Sequence, residues 1–391
     1  MSPGDDVQKR VQEELILAEP GTIIEFEEGV YEFTQGLSLD VEEVTVRGAG
    51  MDKTILDFKN QEAGAEGLYI TSDHVLVEDL CVRDTKGNAI KSHSADNIIY
   101  RRVKTEWTGG PKPTNGAYGL YPVSSENVLI EGCVAIGASD SGIYVGQSKH
   151  VIVRDCTAKF NVAGIEIENC HFADVHDCLA TENTGGILVF DLPDLPQQNG
   201  HNIRIFKNKS VENNTKNFAP EGNMVANVKT GTGVMVMANT NVEIFENMIG
   251  DNDATNIMVI AYQSTGLEIK DVNYYPFPET IHIHDNQFGP CGSDPGKEGG
   301  TAMEDLLGKP LPDIVWDGVV NEKKAKEGQL PEEIRLAIHD NSKTGGGDVT
   351  FGNLGGLDNF ENPSKDLISR DLSAHAGEHP SIAAVRIEGV D

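Results

Sequence analysis

Glu166 and Glu168 stand two residues apart in the run GIEIEN, alternating with isoleucines. On an extended strand such residues share a face, and their side chains emerge roughly 6.6 Å apart. Two carboxylates at that separation leave room for a water between acid and base, as inverting glycoside hydrolysis requires. With Asp191 they also form an oxygen-rich metal set, for which Ca²⁺ is the expected cation. Without a cation, like charges would raise one of the two pKa values. An exposed charged pair with no role is the plain alternative.

Other residues fall at equivalent places in neighbouring segments. Lys91, His93, Tyr121 and Tyr144 join Glu166 as candidate catalytic groups. Gln147, Asn169, Trp107 and Arg101 are candidates for holding a substrate. Abstracting the C5 proton of a uronic acid needs a base and a cation that neutralises the neighbouring carboxylate. Lys91, His93, Tyr121 or Tyr144 could serve as the base. Arg101 or Arg102 could serve as the neutraliser, although YRRV belongs to a different strand of the repeat.

These positions are equivalent because the chain repeats. GLYPVSSENVLIEGCV, GIYVGQSKHVIVRDCT and GIEIENCHFADVHDCL begin at Gly119, Gly142 and Gly164. Each has an alternating run, a turn, and a second alternating run. The second runs align Val103, Cys133, Cys156, Cys178, Asn208, Asn247 and Asn286 in one column. The cysteine steps of 22 to 23 residues suit one coil of a three-sided parallel solenoid. Small Cys fits an inward corner, and stacked Asn can bond to its own image in the next coil. None of the six cysteines forms a CxxC pair, so a structural ladder is favoured over zinc or redox chemistry.

The residue two after each repeat glycine should point outward, giving Tyr69, Lys91, Tyr121, Tyr144, Glu166, Leu188, Met235 and Met258. Both Tyr144 and Glu166 are expected to face solvent. Insertions are expected at 105–117, 192–201, 213–232, 263–279 and 289–333, where loops can wall a groove. Val7–Ala18 reads as an amphipathic helix that caps the open sheet edges. The expected division is a cap over 1–19, a β-helix over 20–360, and a C-terminal tail over 361–391.

A formal net charge of −31 over 391 residues argues against a nucleic-acid partner, which needs Lys and Arg. No apolar run approaches the ~18 residues of a membrane span. The opening MSPGDDVQKR carries no apolar leader. Oligomeric state is not legible.

Gly21-Thr22-Ile23-Ile24, Gly29-Val30-Tyr31 and Gly48-Ala49-Gly50 resemble the entry coil of pectin-lyase-like proteins. The resemblance extends over Pro20–Asn286. It implies an all-β, single-stranded, right-handed parallel β-helix and an extracytoplasmic, periplasmic or secreted, setting. The hydroxyl, amide and aromatic groups of the outward columns suit an extended polysaccharide partner. The NTD and GHG motifs of polygalacturonases and the DPHD motif of β-helical mannuronan epimerases are missing, so no catalytic residues carry over. The leading expectation is a lyase or epimerase of an acidic polysaccharide. A non-catalytic carbohydrate-binding or surface scaffold comes next, and an inverting glycoside hydrolase third.

Overall fold

The computed structural model describes residues 1–295, 301–326 and 330–390. They form two compact units: Met1–Glu166 with Phe218–Ala226 and the last residues from Val385, and Ile167–Asn217 with Asn227–Ala384. Each unit is a stack of three-sided coils. Each coil gives one strand to each of three parallel sheets, in the order first, second, third.

Alternation sets the core. In the first unit, Leu68, Ile90, Leu120 and Ile143 lie in register along the third sheet, all buried. In the second unit, Ile187, Val234, Ile257 and Ile314 do the same. Strands buried on one face and stacked in parallel leave their corners as the difficult places, because the chain must turn without orphaning buried amides.

Two devices solve the corner between the first and second sheets. One residue per coil takes the left-handed region, with φ of 54° at Asp155, 53° at Asp177, 55° at Lys207 and 52° at Asp285. Such a residue turns the strand sharply, and Asp tolerates it better than a branched side chain. The next residue points inward and ties the coils together. Asn208 N–H donates to Asn247 Oδ1 at 3.0 Å, and Asn247 N–H donates to Asn286 Oδ1 at 3.1 Å. Each Nδ2 also reaches the next Oδ1. In the first unit Cys133 N–H faces Cys156 Sγ at 3.4 Å. The expected ladder is therefore present. A second one, unforeseen, runs through Asn183, Asn213 and Asn252 at the corner between the second and third sheets.

The N-terminal helix spans Val7–Leu17 and buries Val7, Val11 and Leu15. Its polar residues do the capping. Gln8 Oε1 accepts from the amides of Thr34 and Gln35, and Gln12 exchanges two hydrogen bonds with Ser38. Two glutamine amides thus stand in for the strand missing from that edge.

The insertions share one topological address. In chain order each leaves the coil just before or just after a third-sheet strand. The segment 289–333 was expected to be wholly inserted, but it contains a coil strand, Ile314–Trp316, paired with Ile257–Val259. Three residues between insertions were too few for the repeat to register. The tail does not stand free. Within the second unit, Ile382 N–H donates to Glu243 Oε2 at 3.0 Å. Within the first, Ile387 packs on Leu129 and Ile152.

The Asn column makes a stability prediction. Asn247→Ala removes the acceptor of Asn208 N–H and the donor to Ile205 O, both buried. At about 1–3 kcal/mol per orphaned buried group, the loss should be about 3 kcal/mol. Cys156→Ala should lose about 1 kcal/mol. Urea midpoints of the two variants check the order.

Candidate functional site

The strands Tyr118–Val123 and Ser141–Gly146 lie side by side in the third sheet of the first unit, with Tyr118 opposite Ser141 and Leu120 opposite Ile143. That register gathers three tyrosines. The rings of Tyr118 and Tyr121 are 4.4 Å apart, Tyr118 and Tyr144 4.7 Å, and Tyr121 and Tyr144 4.9 Å. On the preceding coil Lys91 pairs with Tyr121 and sets its Nζ 4.9 Å from the centre of that ring. Lys91, Tyr118 and Tyr121 are half-buried, while Tyr144 is buried. A cation beside aromatic faces gains from the ring quadrupole and stays available to an incoming anion.

Behind the rings lies a carboxylate network. Asp140 and Ser141 follow the corner at Gly137 and are buried. Ser141 Oγ lies 3.1 Å from Asp140 Oδ1 and also donates to Glu166 Oε2. One hydroxyl carries one proton, so it can serve only one of these carboxylates as donor. Asn223, from the insertion after the second sheet, donates to Asp140 Oδ2 at 3.0 Å. Tyr118 supplies a further hydrogen bond to Asp140. Burial dominates these bonds and pushes the Asp140 carboxyl up to about 6. Such a group changes charge close to neutrality, where an acid–base residue is most useful.

Tyr144 and Glu166 do occupy the outward side of their strands, as the alternation requires, but neither faces solvent. Both are covered. The part of this face that solvent reaches is narrower, formed by the half-buried Lys91, Tyr118 and Tyr121. His93, opposite Val123, is exposed. Gln147 is a corner residue with φ 51°. Trp107 is buried and its Nε1 donates to Thr85 O at 2.8 Å, so it plugs the coil and cannot stack on a sugar. Arg101 belongs to a first-sheet strand and pairs with Glu131 at 3.0 Å, away from the third-sheet face. Arg102 is held by Asp79 at 2.6 Å.

In the second unit the expected ligands are engaged in structure. Asn169 is wholly buried and holds a loop, donating to Leu192 O and Gln197 O at 2.8 and 2.9 Å. It is not free to bind substrate. Asp191 Oδ1 accepts from Gly200 N–H at 2.7 Å, while Oδ2 is buried without a hydrogen-bond partner. Burial pushes Asp191 up to about 7. Glu168, at the end of its strand, is covered as well.

Asp140, Ser141 and Tyr118 escaped the sequence reading because only columns following the repeat glycine were followed. Tyr118 and Ser141 immediately precede Gly119 and Gly142. The signal available was this shared offset, with an acid beside it at Asp140.

Comparison with known proteins bears on the fold. A family model described as a right handed beta helix region matches residues 42–194. No curated protein matches the chain. Among solved structures, the A-module of the Azotobacter vinelandii mannuronan C-5 epimerase AlgE4 has a TM-score of 0.55 at 14% identity, over 87% of this chain and 92% of that one. An exopolygalacturonase from Thermotoga maritima gives 0.53 at 11%, over 89% and 86%. A tailspike protein mutant of E. coli bacteriophage HK620, in complex with a pentasaccharide, gives 0.53 at 10%, over 90% of this chain and 62% of that one. The chain is a right-handed parallel β-helix protein. At these identities the likeness speaks to fold, and the site must be argued from its own residues.

The raised Asp140 pKa fixes a sign. The folded carboxyl holds its proton up to about 6, against 3.8 as the ordinary value. Its contribution to stability is therefore complete below about pH 4 and lost as pH rises through about 6. Asp140→Asn should abolish that part of the decline, of roughly 2–3 kcal/mol at most. Denaturant melts of both proteins at intervals from pH 4 to 7 measure the difference.

Proposed function

We propose that the chain acts on an extended acidic polysaccharide by removing the C5 proton of a uronate, as a lyase or epimerase. The observation carrying this reading is Lys91 poised beside a tyrosine cluster that is hydrogen-bonded to a buried carboxyl of raised pKa. Lys91 would meet the uronate carboxylate and stabilise the enediolate left when C5 loses its proton. Tyr118 would take that proton while passing its own to Asp140. A carboxyl with pKa near 6 is largely ionised at neutral pH and so able to receive it. In a lyase the electron pair then forms the C4–C5 double bond, and the C4–O bond breaks with a proton delivered to the departing oxygen. In an epimerase the proton returns to the other face of C5.

Tyr121 and Tyr144 hold Tyr118 and Lys91 in place, and Glu166 completes the network through Ser141. This reassigns the neutraliser from Arg101 to Lys91. The fold's neighbours include a mannuronan C-5 epimerase and an exopolygalacturonase, which agrees with a sugar polymer as substrate. An acidic polymer of this kind as substrate would favour a periplasmic or secreted setting. Among the described residues no helix is long and apolar enough to cross a membrane.

Inverting hydrolysis is disfavoured because Glu166 and Glu168 are both covered. The burial of Tyr144 and Glu166 does favour a second reading, a sugar-binding scaffold without turnover.

Incubation with a panel of polyuronates, with and without Ca²⁺, separates these readings. Ultraviolet absorbance from the new double bond reports a lyase, and a changed uronate ratio by NMR reports an epimerase. Tyr118→Phe and Asp140→Asn should each lower kcat by at least about 100-fold. Tyr118→Phe keeps the ring in place and should lose only about 1 kcal/mol of stability, for its hydrogen bond to Asp140. Lys91→Ala should raise KM as well. Retardation of a polyuronate without turnover would support the scaffold, and undiminished activity in Tyr118→Phe would sink the mechanism.

A further inference from the structure

Away from the tyrosine face, the first sheet of the second unit carries a cluster that the proposed reaction does not use. His282 and His284 sit on the strand Glu279–His284, and His339 lies opposite His284 on the next coil. One ring nitrogen from each lies within 4.8 Å of the other two. The inward Ile281 and Ile283 fix both histidines outward, and the C-terminal tail covers them. His379 packs edge-on against His282, and Ile382 is anchored through Glu243.

We infer that His282, His284 and His339 form a binding site for a zinc-like divalent transition metal ion. Three features support it. Carboxylates sit behind two of the rings: Asp285 Oδ2 is 2.8 Å from His284 Nδ1, and Asp340 Oδ2 is 3.0 Å from His339 Nδ1. A carboxylate there keeps the proton on Nδ1 and turns Nε2 toward the cluster, the arrangement that orients histidine ligands around zinc. Next, His282 Nε2 and His339 Nε2 approach to 2.7 Å. Two ring nitrogens converge so closely only with a proton or a cation to share. Two nitrogens on one tetrahedral zinc lie about 3.3 Å apart, given Zn–N bonds of 2.0–2.1 Å. A small turn of one ring makes that room. Finally, His282 Nδ1 is buried with no hydrogen-bond partner, so nothing ties that ring from behind against the turn.

Glu243 completes the charge balance. It is buried, its Oε1 is 3.2 Å from His284 Nε2, and its Oε2 holds the tail at Ile382. Three converging imidazole nitrogens suit a borderline ion such as Zn²⁺ or Ni²⁺ better than Ca²⁺, which prefers an all-oxygen shell. The ion would fasten two successive coils beneath the strap of the tail. It is a site separate from the tyrosine face and independent of the polysaccharide reading.

The test uses tag-free full-length protein, stripped with EDTA and desalted. Zn²⁺ is titrated in competition with a chromogenic chelator, and Co²⁺ is added separately for its visible ligand-field spectrum. One Zn²⁺ per chain, a rise in melting temperature, and an intense tetrahedral Co²⁺ band are expected. His339→Ala, at the partly exposed edge, should weaken binding at least about 100-fold, and Asp340→Asn about 10-fold. His93→Ala, exposed elsewhere, should bind as the parent does. Far-UV circular dichroism confirms that each variant is folded. If His282→Ala does not fold, His339→Ala alone decides. No saturable one-to-one binding, or binding undiminished in folded His339→Ala, would overturn the site.

Discussion

Hydrogen bonding between successive coils governs where every side chain in each unit can be. A parallel strand has no local partner, so its amides and carbonyls are satisfied only by the coil before and the coil after. One residue of slip would turn the buried isoleucines outward and the polar column inward. The corners enforce the phase. A single left-handed residue, such as Asp285, precedes each ladder residue. The ladder residue then bonds to its own counterpart, as Asn247 does to Asn286. A coil therefore cannot shift without breaking both a corner and a ladder. That rigidity allows Tyr118, Tyr144 and Lys91, far apart in sequence, to meet as neighbours.

The coil itself is repetitive, so chemistry must come from departures from it. Those departures cluster at the ends of third-sheet strands, where the insertions leave and return. Covering an outward face changes its electrostatics. Asp140 is raised by burial, which outweighs the lowering by its hydrogen bonds with Ser141, Tyr118 and Asn223. On an uncovered strand the same carboxyl would be solvated and ordinary. Covering also removes candidates. Trp107, which by type suits sugar stacking, is used to fill the coil and satisfy Thr85 O.

The fold was legible because period and corner chemistry are local properties. Alternation gave the sheets, the Cys and Asn column gave the coil length, and the helix at Val7–Leu17 followed from its spacing. The site was legible only in part. Lys91, Tyr121 and Tyr144 lie on the column that the glycines define, so register alone united them. Their exposure was misjudged, because what covers an outward column is decided by insertions whose paths have no period. Asn169 was misread for the same reason: its carboxamide answers to Leu192 and Gln197, on a loop that alternation does not describe. The strand Ile314–Trp316 was hidden because three residues cannot display a period at all.

The histidine cluster follows the same logic on another sheet. In the repeat His282 continues a column with Arg204 and Glu243, and His284 one with Phe206 and Phe245. The aromatic column stacks nearly parallel, ring on ring, from Phe206 through Phe245 and His284 to His339. Stacking in register favours flat side chains of either kind, so phenylalanine can give way to histidine along a column without disturbing the coils. Where histidine appears on two adjacent columns of one strand, and again on the next coil, a row built for packing acquires ring nitrogens that converge. The tail then buries them. A covered outward column thus becomes a polar site in both places, by an insertion in one unit and by the C-terminal strap in the other.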